Sequence, residues 1–162
     1  MNAIDIANGI VFQKMGISKD IFDDRLICQK KIYLLQSLGT DLGYSYNWYV
    51  RGPYSPALTT YVYNNLDVLS TCSFDEIKLN DQAQRNIMTV NKLSEEKPDD
   101  LSISLWYELL ASILYISKNS KSWRNDGSDE SLSRELIKMK PRFTMQHCEC
   151  ALESLRRAGF CE

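Results

Sequence analysis

Histidine is almost missing from this chain: His147 is the only one among 162 residues. Any reaction that needs an imidazole base would have to pass through that position. No G-x-S-x-G turn presents a serine nucleophile, and neither G-x-G-x-x-G nor G-x-x-x-x-G-K-[ST] cradles a phosphate. Basic charge is not in excess either. Lysine and arginine number 19 against 21 acidic residues, for a formal charge of -2, which removes the global attraction to phosphate that a basic nucleic-acid binder carries. The five cysteines, Cys28, Cys72, Cys148, Cys150 and Cys161, are odd in number and irregular in spacing, so reduced thiols in a cytosol are expected in place of a secreted disulfide framework. A long hydrophobic run is lacking as well. The most lipid-like stretch, Leu101 to Ile116, falls short of the roughly 20 residues that cross a bilayer, and Glu108 interrupts it. The opening MNAIDIANGIVFQKMG has Asp5 ahead of its apolar part and no cleavage site, so no signal peptide is expected. These absences point to a soluble, cytoplasmic chain with no membrane partner.

The length suits one ordinary domain, residues 1–162, and an apolar content of 44% suffices for a packed core. Residues 3–15 place Ile4, Ala7, Val11 and Met15 on one helical stripe, with Gly9 weakening the helix and Gly16 ending it. Asp23 and Asp24 mark the start of a second helix that runs to about Leu38 and stops at Gly39. Its Ile27, Cys28, Ile32, Leu34, Leu35 and Leu38 face the core, leaving Gln29, Lys30 and Gln36 for solvent. Tyr44, Tyr46, Trp48 and Val50 alternate with Ser45, Asn47 and Tyr49 as in a strand, which breaks at Arg51-Gly52-Pro53.

Ser55 as N-cap and Pro56 as first helical residue begin a helix that carries Leu58, Val62, Leu66 and Leu69. Phe74 to Leu79 reads as a second short strand. A helix over 81–94 buries Ile87, Val90 and Leu93, and EEKPDD offers a hinge at 95–100 before a helix starting near Asp99 or Asp100. That helix, with Leu105, Trp106, Leu109, Leu110, Ile113 and Leu114, has the strongest periodicity in the chain and is expected at the centre of the core, ending near Lys118. Asn119 to Ser131 is polar and reads as flexible. A short helix over Leu132 to Met139, closed by Pro141, and a last one over Thr144 to Ala158, ended by Gly159, complete the pattern.

Few constellations could carry chemistry. His147 beside Cys148 and Cys150 could suggest zinc, but on a helix these side chains diverge and no C-x-x-C exists to complete the set. Asp23 with Asp24, and Asp129 with Glu130, stand where helix starts attract acids, and NDGSDES lacks the register of an EF-hand loop. No catalytic residue, metal or cofactor is expected.

The densest feature is YSYNWYVRGPYSP. Aromatic rings beside an arginine supply large rigid contact area and a planar cation, suited to protein hot spots or to base stacking. Strand alternation would equally send half of the rings into the core. Trp48, Tyr49, Arg51, Gly52, Pro53, Tyr54 and Ser55 are therefore candidates for binding a partner. Thr59, Thr60, Tyr63 and Asn64 on the following helix, with Arg51, are candidates for reading DNA base edges.

RLICQKKIYLLQSLGTDLGYSYNWYVRGPYSPAL resembles the pattern of the YwgA-type phage-associated proteins, themselves similar to Panacea antitoxin-like domains: Arg-x-x-x-Gln-Lys-x-x-Tyr-Leu-Leu, then Gly-Tyr, an aromatic strand and Gly-Pro-Tyr-Ser-Pro. The matching residues are Arg25, Gln29, Lys30, Tyr33, Leu34, Leu35, Gly43, Tyr44, Trp48, Tyr49, Gly52, Pro53, Tyr54, Ser55 and Pro56. ELLASILYI, LIKMKPRF and ALESLRRAGF extend the likeness more weakly. Lys31 departs from it, since an apolar residue is expected there. The resemblance implies a small helical domain with a short sheet, found among mobile elements, with antitoxin or regulatory roles and no catalytic residues.

The expected fold is thus mainly α with a short β-sheet, a compact helical domain of which a winged-helix-like arrangement is one form. The leading functional reading is a non-enzymatic interaction protein, antitoxin-like or phage-associated, that binds a protein partner such as a toxin or defence component. The alternative is a winged-helix-like DNA-binding regulator using the helix after Pro56.

Overall fold

The structure is a computed structural model that describes residues 1–119 and 128–160. The first helix, α1 (Ala3–Met15), is capped by Asn2, whose Oδ1 accepts from the Asp5 amide at 2.8 Å, and ends at Gly16 in the left-handed conformation. It buries Val11 and Met15 as expected, together with Ile10 and Phe12, but Ile4 is exposed. Gly9 is explained by its neighbour: the Phe74 ring occupies the place that a Cβ would take. Phe74 to Leu79 forms no strand. Phe74 docks against α1, and the chain turns there with Ile77 N–H donating to the Phe74 carbonyl.

The second helix, α2 (Phe22–Ser37), carries Asp23 and Asp24 in its first turn. A hairpin follows, β1 (Asn47–Tyr49) paired antiparallel with β2 (Gly52–Tyr54) in the register Asn47↔Tyr54, Trp48↔Pro53, Tyr49↔Gly52. The strand is shorter than its alternation suggests because Gln36 binds the preceding loop: its Nε2 donates to the Tyr44 carbonyl and its Oε1 accepts from Leu42 and Tyr44. The first strand ends just before Arg51-Gly52-Pro53, close to the expected break; there the chain reverses, and Gly52-Pro53-Tyr54 forms a second strand.

Ser55 caps α3 (Pro56–Thr71) by accepting from Leu58, and Leu58, Val62, Leu66 and Leu69 are all buried. Next come α4 (Asp81–Lys92) and a 3₁₀ turn, Leu93–Glu96. The central helix, α5 (Ile103–Asn119), begins after Ser102, whose hydroxyl accepts from Leu105, three residues later than the acidic pair suggests. Its Trp106 donates to the Leu93 carbonyl at 2.7 Å and its Tyr107 to the Val90 carbonyl at 2.6 Å, tying it back across residues 95–100.

Helix α6 (Asp129–Met139) starts earlier than Leu132 because Ser128 caps it and Asp129 to Ser131 form its first turn. The rest of the polar stretch, 120–127, lies outside the described residues. Helix α7 (Met145–Arg157) is capped by Thr144. Among the described residues the architecture is thus mainly helical with one two-stranded antiparallel sheet. α5 lies at the centre, packed on α2, α6, α7 and β2, and one buried cluster draws on each of the described helices α1 to α7. No described helix is long and apolar enough to cross a membrane.

Candidate functional site: a clamped hairpin and the cleft beside it

Gln29, Lys30 and Gln36 were expected in solvent on α2, and the structure corrects this. Gln29 and Lys30 are buried because the hairpin lies across that face, and their polar ends serve its backbone. Gln29 Nε2 donates to the Ser55 carbonyl at 3.0 Å and to Thr59 Oγ1 at 2.9 Å, while its Oε1 accepts from the Ser55 amide at 2.9 Å. One glutamine amide therefore pairs both backbone groups of the residue joining β2 to α3. Lys30 Nζ donates to the Pro53 carbonyl at 2.6 Å, and Tyr46 donates its hydroxyl proton to the Gln29 carbonyl.

Beneath the hairpin tip lies a buried group of charges. Glu108, in mid-α5, accepts from Lys140 at 2.8 Å, and Lys140 also donates to the Val50 carbonyl at 3.0 Å. Arg51 approaches the other carboxylate oxygen at 3.7 Å, beyond hydrogen-bond length, and that oxygen has no hydrogen-bond partner. Burial drives the Lys30 ammonium down to about 7, with Lys140 and Arg51 adding to the fall and Glu108 opposing it. The Ser112 hydroxyl, also buried and unpartnered, sits against Gly52.

The expected binding residues separate accordingly. Gly52, Pro53 and Ser55 are buried and hold the hairpin in place. Trp48 is half-buried, its ring 5.6 Å from that of Tyr115 with Lys140 over it at 5.5 Å. Tyr49, Arg51 and Tyr54 turn the other way and line a cleft of about 410 Å³. Thr59 and Tyr63, two of the residues considered for DNA, line the same cleft, whereas Thr60 and Asn64 point outwards elsewhere on α3.

The opposite wall comes from α2: Phe22, Arg25, Leu26 and Gln29, which sequence reasoning did not assign to a site. Their spacing of three, four and seven residues is one helical stripe, and this was the available signal. Arg51 stacks over the Phe22 ring at 5.5 Å, Tyr49 meets Tyr54 edge to face at 5.2 Å, and Arg25 is held by the Lys19 carbonyl at 2.9 Å. Val50, at the hairpin tip on the rim, is 90% exposed.

His147 has a structural use. Its Nδ1 accepts from the Thr144 amide at 3.1 Å, completing a capping box, and its Nε2 bonds Asp100 at 2.8 Å, which lowers that carboxyl below its ordinary value. Both ring nitrogens are therefore engaged. Cys28, Cys72, Cys148 and Cys150 are free thiols. Burial pushes Cys28 up to about 12 and Cys148 to about 11, so neither is a thiolate at neutral pH. Lys31, where an apolar residue is expected from the sequence, is half-buried and donates to the Met15 carbonyl at the end of α1 and to Asn91 Oδ1, so its charge meets a helix C-terminus.

No family model matches the chain, nor does any curated protein or solved structure.

Proposed function

We propose that the chain is a cytoplasmic, non-enzymatic interaction protein whose cleft between α2, the hairpin and α3 receives a protein partner, in keeping with the antitoxin-like, mobile-element role that the resemblance implies. The observation that carries this reading is the cleft itself. Four aromatic rings, from Phe22, Tyr49, Tyr54 and Tyr63, and two guanidiniums, from Arg25 and Arg51, converge on one concavity. Aromatic and arginine side chains are the types that dominate binding hot spots. The hairpin wall is fixed in advance by Gln29 and Lys30, so little ordering entropy is lost on binding.

Tagged chain expressed in its native host, with protein and nucleic acid recovered from the same eluate, tests the proposal. A stoichiometric protein, lost on Tyr63→Ala or Arg51→Ala while the thermal midpoint holds, is the expected result. Tyr63 is half exposed, so its truncation spares the core. DNA recovered without protein, and released by moderate salt, would favour the regulator reading. The surroundings of α3 support that alternative less: Lys19 is paired with Asp67 at 3.0 Å, and Asp67 lies on the exposed face with Thr60 and Asn64. A carboxylate there opposes phosphate contacts.

A further inference from the structure

The charges around the cleft are unbalanced in one direction. Its lining residues include Arg25 and Arg51 but no carboxylate. Behind Arg51 stand Lys30 and Lys140, both buried, around the single carboxylate of Glu108. One oxygen of that carboxylate accepts from Lys140 at 2.8 Å, whereas Arg51 stands off at 3.7 Å from the other, lines the cleft and is 40% exposed in its side chain. The Arg51 guanidinium thus keeps donors without a hydrogen-bonded partner at the edge of an apolar concavity that has no carboxylate in its lining. Arginine in this setting favours a planar, two-oxygen acceptor.

Resting on the cleft as the docking site, we propose that its occupant is a linear segment of the partner in which a large apolar side chain adjoins an aspartate or glutamate. The apolar side chain packs among Leu26, Tyr49, Tyr54 and Tyr63, and the neighbouring carboxylate pairs with Arg51. Arg25 supplies a second cation on the facing wall. A concavity of about 410 Å³ has room for one large side chain and its neighbour, which a linear segment supplies.

The test uses random linear peptides displayed on phage, selected on the full chain. The enriched sequences are expected to carry an acidic residue beside a large apolar one. A synthetic peptide of that sequence should bind wild type about tenfold or more tightly than its Glu→Gln counterpart, the span of a hydrogen bond to a charged group. Arg51→Gln should abolish the difference, and an unchanged thermal midpoint shows that the variant is folded; Arg25→Gln repeats the comparison from the other wall. Enriched peptides that lack an acid, yet lose binding on Tyr63→Ala, would overturn the acidic segment and leave the cleft as docking site. Enrichment of nothing, or of peptides indifferent to Tyr63→Ala, would overturn both.

Discussion

Gly52 is held by two separate constraints. Its φ of 92° lies where side-chain-bearing residues are strained, and an added Cβ would collide with the Ser112 hydroxyl on α5. Gly52→Ala should therefore destabilise the fold by about 2–4 kcal/mol, combining backbone strain with overpacking, as read from the denaturant midpoint. Ser112→Ala is expected to do the opposite of a usual core polar loss. Its hydroxyl is buried with no hydrogen-bond partner, so removal should be neutral or stabilising by a few tenths of a kcal/mol. A large loss of stability in Ser112→Ala would mean that this hydroxyl has a partner after all.

At the scale of elements, the joint of α2, the hairpin and α3 depends on one amide. Gln29→Leu adds apolar volume to a buried place yet leaves the Ser55 N–H unpaired, its carbonyl still accepting from the Thr59 amide at 3.3 Å, and one buried unpaired donor costs more than the leucine contributes. A loss of about 1–2 kcal/mol is expected, with faster amide exchange over β1 and β2 than over α5; equal exchange throughout would place the clamp elsewhere. The same joint marks the limit of what the chain reveals unfolded. Helices could be read because their information is local: Ser55 caps, Gly16 and Gly39 end, and the apolar residues of α3 and α5 recur at helical spacing. Gln29 and Lys30 could not. Their polarity is satisfied by backbone at Pro53 and Ser55, more than 20 residues away, and such a bond leaves no periodic trace. For the same reason Tyr49, Arg51 and Tyr54 could be singled out by type, but not the α2 wall that faces them.

For the whole molecule, Lys30 links the hairpin to pH. Its ammonium is fully buried, facing Glu108, Lys140 and Arg51, and it loses its proton at about 7 in the folded chain but near 10.4 when unfolded. Between those values the unfolded chain holds more protons than the folded one, so stability rises with pH there. The cost of burying the charge is complete below about 7 and has gone above the unfolded value. Denaturant midpoints of wild type should therefore climb from about pH 6 to about pH 8.5 by the linkage relation, while Lys30→Met, which carries no charge at any pH, should lack that part of the slope. Subtracting the two curves removes the groups both proteins share. Cys28 is among them: its thiol, raised by burial to about 12, gives the opposite sign as its unfolded counterpart ionises. Parallel curves would mean that Lys30 keeps one protonation state across the range, and the hairpin would then be clamped equally at every physiological pH.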